Sequence, residues 1–188
     1  MNIARRQLRA FFIAMIGLEN KTLTSERLSY RLLEERDKLP LASLLSDAEV
    51  TRPAGFLPAK SAAEFNDFFA TLTQYNTGIA VLLGETLIGY IHVNKYVSSL
   101  PELSGKPCVS TGFVIGKAFQ RKGYGTEMLN TLTTYLLDRF SACFADCFDD
   151  NPASEKLIRK CGYEYLEDYT MFFDSIGENK TCKSFIHR

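Results

Sequence analysis

The stretch that most constrains this chain is residues 109–137, VSTGFVIGKAFQRKGYGTEMLNTLTTYLL, because its apolar residues change period part-way along. Val109, Thr111, Phe113 and Ile115 recur at period two, and the later apolar residues recur at helical spacing, so strand, turn and helix follow in order. The join, Gln120-Arg121-Lys122-Gly123-Tyr124-Gly125-Thr126, places two glycines where the helix begins. Missing Cβ atoms let an anion approach the backbone there. The first turn of a helix holds amide N–H groups without intrahelical partners at the positive end of the macrodipole, so a phosphate at this join gains charge-assisted hydrogen bonds. Arg121 and Lys122 add positive charge beside it.

Two phosphate-binding patterns fail on the spacing. A P-loop needs Gly, four residues and Gly-Lys-Ser/Thr, and Gly116 is too far from Gly123 to supply it. The dinucleotide fingerprint needs a third glycine where this chain has Met128. An ordinary glycine turn is the structural alternative. The 188 residues suffice for one domain with a substantial core, and 46% hydrophobic with 23% charged residues are globular values. Lys+Arg and Asp+Glu are both 22, so no global basic field favours nucleic acid or a membrane surface. Cys108, Cys143, Cys147, Cys161 and Cys182 show no C-x-x-C spacing, and neither His92 nor His187 stands beside a cysteine pair. No metal is expected, and a reducing, cytoplasmic location is the default.

Residues 1–22 are taken as an N-terminal extension and 23–188 as a single domain. The apolar run after Arg5, Arg6 and Arg9 is about nine residues long, too short to span a bilayer, and no clear cleavage motif follows it. A frayed helix or an upstream extension, with Met15 as another start, fits it better than an export signal. Leu28, Tyr30 and Leu32 alternate with polar residues as in a half-buried strand. Residues 37–46 predict a short helix with Leu39, Leu41, Leu44 and Leu45 inward, and the proline-rich residues 51–58 predict a loop. Ser61 and Glu64 read as a capping box for a helix carrying Phe65, Phe68, Phe69 and Leu72. Residues 79–83 and 87–93 predict a hairpin, and residues 94–107 an irregular stretch. After a strand at 142–148, with Cys143 and Cys147 on one face, come Asn151 as cap, Pro152 in the first helical turn and Gly162 as terminator. Residues 163–173 and 181–186 close the chain as strands.

Gln120, Gly123 and Gly125 fit the pattern Gln/Arg-x-x-Gly-x-Gly/Ala, and Asn151, Ser154, Lys160, Gly162 and Tyr163 fit Asn-x-x-Ser/Ala followed by Lys-x-Gly-Phe/Tyr. With these two elements in order, about residues 24–175 resemble the GNAT superfamily of acyl-CoA-dependent N-acetyltransferases. The opening Thr24-Ser25-Glu26-Arg27-Leu28 is similar to that of the ribosomal-protein N-terminal acetyltransferase branch. The resemblance implies an α/β fold: a mixed, mostly antiparallel twisted sheet with helices on both faces and a parallel crossover through the glycine-bearing helix. It implies acetyl-CoA as co-substrate, with Phe113, Val114 and Ile115 holding the pantetheine and thioester. The pyrophosphate falls to Gln120, Arg121, Lys122, Gly123, Tyr124, Gly125 and Thr126, with Asn151 and Ser154 nearby.

The activity so implied is acetyl transfer to a primary amine, either a protein N-terminus or a small molecule, by direct attack. Such transfer needs a deprotonated amine, a donor for the oxyanion and a proton for the leaving thiolate. Many relatives place a tyrosine where this chain has Ile158, so Ser154 becomes the candidate proton donor, with helix capping as its structural alternative. A glutamate used by that branch falls at Ser110, which leaves His92 as candidate base, with Glu102, Asp149, Asp150 or a relayed water in reserve. The rival readings are a catalytically silent CoA-binding sensor or subunit, and a structural or nucleotide-binding domain. A homodimer is left open.

Overall fold

Short turns between apolar runs build the first half of the sheet. In the computed structural model, which describes residues 16–188, β1 (Leu23–Thr24) and β2 (Ser29–Leu32) form a small hairpin with Tyr30 opposite Leu23. The strand expected over Leu28, Tyr30 and Leu32 forms as β2, and β1 is added before it through a turn in which the Ser25 amide donates to the Leu28 carbonyl at 2.9 Å. β3 (Gly78–Leu83) and β4 (Thr86–Tyr96) form the expected hairpin, but β4 outruns its prediction. Asn94, Lys95 and Tyr96, expected to be irregular, pair with Ser110, Val109 and Cys108 of β5 (Cys108–Ile115), which satisfies their backbone groups.

Three helices follow their local signals with two corrections. In α1 (Lys38–Leu45), Leu41 and Leu45 are buried and Leu44 packs beside them, but Leu39 is 80% exposed, since two residues back along a helix is the opposite face. Residues 51–58 are not all loop: Thr51 closes α2 (Ala48–Thr51), and Arg52–Ala54 is a 3-10 turn that a proline near its start tolerates. α3 (Ala62–Gln74) is capped by Ser61, whose hydroxyl accepts from the Glu64 amide, while the Glu64 carboxylate accepts from the amide of Lys60. Phe69 and Leu72 point into the core as expected, with Phe65 and Phe68 packed beside them.

β5, α4 (Tyr124–Leu137) and β6 (Ala142–Phe148) make the crossover, and β5 with β6 is the parallel pair. α5 (Pro152–Lys160) then leads into β7 (Glu164–Phe173) and β8 (Glu178–His187), an antiparallel hairpin whose β8 lies against β6. The eight-stranded order is β1-β2-β3-β4-β5-β6-β8-β7. One face packs on α4 and α5 through Val109, Met128, Leu132, Cys143, Cys147 and Ile158, joined by Ile16 and Leu18. Helices α1, α2 and α3 cover the other face at Ala80, Leu82, Tyr90 and Val114. The arginines of the N-terminal segment and most of its apolar run lie outside the described residues.

The pairing of β5 with β6 stops early. It runs from Cys108 opposite Ala142 to Thr111 opposite Ala145. Beyond that point β6 continues only with β8, and β5 only with β4. The two parallel strands therefore part after Thr111 and leave a gap in the middle of the sheet.

Candidate active site

The gap opens beside the start of α4. Gly123, its N-cap residue, is left-handed at φ 85° and offers no side-chain cap, and Arg121 is also left-handed at φ 59°. Intrahelical bonding starts with the Glu127 amide on the Gly123 carbonyl, at 3.1 Å, so the amides of Tyr124, Gly125 and Thr126 precede it. A Cβ on Gly125 would lie 2.6 Å from Leu157 Cδ1, so any side chain there would have to displace the Leu157 side chain of α5. Gln120 Nε2 donates to the Ile115 carbonyl at 2.9 Å and ties the turn to the strand end.

Arg27 is a second clasp, missed in the sequence. Its Nε donates to Glu127 Oε2 at 2.7 Å, its Nη1 to the Lys122 carbonyl at 3.1 Å, and its guanidinium lies 4.5 Å from the centre of the Tyr124 ring. Glu127 Oε1 also accepts from Ser25 Oγ and from the Arg27 amide, each at 2.7 Å. These donors hold the Glu127 carboxyl below its usual range against the opposing effect of burial. A neutralised acid in the first turn leaves the helix start attractive to an anion.

A cavity of about 660 Å³ runs from this turn through the gap. Phe113, Val114, Ile115, Gln120, Arg121, Gly123, Gly125, Thr126, Asn151 and Ser154 all line it, whereas Lys122 and Tyr124 do not. The Gly116 amide donates to the Ile88 carbonyl at 2.8 Å. Alternation along an antiparallel pair then directs the backbone groups of Val114 to β4 and those of Phe113 and Ile115 to the gap. The site thus combines helix-start amides, a left-handed turn, Arg121 and a stretch of unpaired strand, a donor set suited to an anionic group with an extended amide-bearing arm.

The candidates for proton transfer separate clearly. Asn151 Oδ1 accepts from the Ser154 amide at 3.1 Å, and Asn151 Nδ2 donates to the Pro53 carbonyl at 3.2 Å. The cap is therefore Asn151, and Ser154 Oγ faces the cavity with no hydrogen-bond partner among the described residues. Ile158 is fully buried in the core. Glu102 is paired with Arg188 at 2.9 Å and Asp150 with Lys180 at 2.6 Å, and neither they nor Asp149 line the cavity. Ser110 does line it. His92 lines an adjoining chamber instead, and burial lowers its pKa, which keeps the imidazole neutral.

Asp146 lines the cavity and was not singled out in the sequence. It follows Ala145, the last β6 residue paired with β5, so its side chain meets the gap. Solvent reaches it from the cleft, but the protein around it pushes its carboxyl above the usual aspartate range, while the hydroxyls of Ser184 and Tyr169 pull the other way. The available signal was its isolation, since it is the one charged residue in the strand ACFADCF.

Strand gap, glycine turn and helix start together make a cleft with an anion-attracting end and an open strand edge. Residues 27–164 match the family model of the acetyltransferase (GNAT) domain. The chain belongs to the GNAT acetyltransferases, and acetyl transfer is its class of reaction. No curated protein matches the sequence. Among solved structures, a GNAT-family acetyltransferase from Bacillus anthracis superposes with a TM-score of 0.73 at 19% identity, over 88% of this chain and 97% of that one. A Vibrio cholerae protein named as a ribosomal-protein-serine acetyltransferase gives 0.70 at 22% identity, over 88% and 96%. Spermidine N-acetyltransferase from Vibrio cholerae, solved with CoA and spermine, gives 0.71 at 17% identity, over 87% and 96%. These likenesses are of fold.

Proposed function

We propose that this protein transfers the acetyl group of acetyl-CoA to a primary amine by direct attack of the amine on the thioester. The observation that carries the reading is the continuous cavity from the start of α4, through the gap between β5 and β6, to Asp146. Bound acetyl-CoA supplies an acyl group activated as a thioester. Arg121 and the amides of Tyr124, Gly125 and Thr126 hold its pyrophosphate, and the backbone of Phe113 and Ile115 in the gap holds the pantetheine arm. The Phe113 amide donates to the carbonyl oxygen as negative charge develops on it.

Asp146 accepts the proton that the amine loses as its nitrogen bonds to the carbonyl carbon. His92 flanks the amine from β4. Ser154 Oγ donates a proton, or orients a water that does, to the sulfur as the C–S bond breaks. The products are the N-acetyl amine and CoA, with no covalent enzyme intermediate and no metal. The same reading takes residues 23–188 as one domain behind an N-terminal extension, and places the protein in the cytoplasm. Its five cysteines, all free, support a reducing location.

A CoA-binding domain without turnover is the second reading, favoured by Ser110 and the buried Ile158 at two positions where relatives carry catalytic groups. Calorimetric titration with acetyl-CoA, using ATP and NAD as controls, followed by CoA release over a panel of amines, separates the two. One-site binding of acetyl-CoA with release by at least one amine is the expected result. Binding without release across the panel returns the silent domain, and absence of binding refutes both.

A further inference from the structure

We infer that the acceptor is a primary amine carrying a large apolar or aromatic body, which enters a second chamber across Gly112 while the amine stays at the gap. This rests on the amine-transfer reading above and adds the substrate class. The second chamber has a volume of about 440 Å³ and lies on the sheet face covered by α1, α2 and α3. It shares Ala54, Gly112, Phe113 and Val114 with the first cavity, so the two meet over β5.

Gly112 is the doorway. A Cβ built on it meets nothing within 4 Å, so the floor there is bare and any side chain would stand in the passage. Across the sheet His92 pairs directly with Gly112. On the other side, Thr111 opposite Ala145 is the last pair, so Gly112 and Asp146 are the first residues past it, on the same face at the two edges of the gap. An amine over Gly112 therefore lies between an imidazole and a carboxylate, next to the strand segment assigned to the thioester.

The chamber's walls say what the amine is attached to. Phe68 packs on Phe56 and Phe65 with ring centres at 6.4 and 6.2 Å, and edge-on against Tyr90 at 6.4 Å. Charged residues in the lining are of both signs, Lys60 with Glu64 and Asp174. A polyamine needs several spaced carboxylates along its length, whereas this chamber sets Asp174 and Glu64, the latter already accepting from the Lys60 amide, against the rings of Phe56, Phe65, Phe68 and Tyr90. Apolar surface and aromatic edges reward burial of a hydrocarbon or aryl group.

The test measures kcat/KM of the full chain with acetyl-CoA for 2-phenylethylamine, a Phe-Ala-Ala peptide, spermidine and a Ser-Ala-Ala peptide. The two phenyl acceptors are expected to exceed the other two by about tenfold or more, the range an apolar pocket discriminates. Whichever phenyl acceptor is better reports whether the amine is free or N-terminal, and either ranking supports the inference. Gly112→Val, a β-branched residue suited to a strand with open space above it, is expected to lower kcat/KM for both by about fiftyfold while acetyl-CoA affinity stays within about threefold. Phe68→Ala is expected to shrink the preference over spermidine. Equal or better use of spermidine or Ser-Ala-Ala, or a Gly112→Val protein with full turnover, overturns the inference and leaves the transferase reading standing. If acetyl-CoA binds but no amine is acetylated, the transferase reading fails instead. Calorimetric binding of 2-phenylethylamine then still reads the chamber: saturable binding lost in Gly112→Val supports it, and no binding overturns it.

Discussion

Asp146 is the proton acceptor proposed for the cleft; solvent reaches it, and the protein around it raises its pKa above the usual aspartate range. Its pKa is raised on folding, so its contribution to stability is present in acid and is lost as pH rises through the folded value. Asp146→Asn should therefore melt above the parent at neutral pH. The same change should lower kcat by about a hundredfold, the low end for a positioned proton acceptor, and abolish the acid limb of the kcat/KM profile. That limb should fall with decreasing pH through a value above the usual aspartate range. A profile unchanged by the substitution removes Asp146 as base. Ser154→Ala should lower turnover by about tenfold with acetyl-CoA affinity nearly intact, since its hydroxyl faces the cavity and its amide keeps the Asn151 cap. Arg121→Glu, at an exposed and left-handed residue, should weaken acetyl-CoA binding by about tenfold or more and leave the circular dichroism unchanged.

The start of α4 is where local sequence and long-range contact meet. Its two glycines announce a helix start, and the left-handed Gly123 stands at the N-cap of α4 while Gly125 packs against Leu157. Arg27 could not be read in the same way. It is about a hundred residues upstream, and its pairing with Glu127 exists because the hairpin of β1 and β2 folds onto the helix end. Arg27→Ala leaves Glu127 uncompensated in the first turn, next to the pyrophosphate seat. The expected result is a KM for acetyl-CoA raised about fivefold at low ionic strength, with the difference shrinking in high salt. A salt-independent effect would point to lost packing on Tyr124 instead. Asn151 and Pro152, by contrast, were legible as a helix start because cap chemistry is local, and the cap bond to Ser154 follows it.

At the scale of the whole molecule, a ligand that bridges the gap ties the two halves of the sheet together. At about a hundredfold excess over its Kd, acetyl-CoA should stabilise the fold by about 2.7 kcal/mol and raise Tm by roughly 5 to 10 °C, measured by differential scanning fluorimetry. ATP and NAD should not. Most of the strands, their order of appearance and the helix caps were readable from the sequence because alternation, glycine placement and cap residues act between near neighbours, whereas β1 and the last three residues of β4 were not. Leu39 misled for the same reason, since four leucines in one short segment cannot all share a helical face. What the amino-acid order determined by itself was the sheet with its crossover, the glycine turn and the family they define. The parting of β5 from β6 after Thr111, the clasp of Arg27 on Glu127, and the pairing of His92 with Gly112 at the strand that borders the gap came only with folding. Each depends on where strands distant in sequence stop pairing, and that is fixed by packing on both faces of the sheet, not by the preferences of any segment.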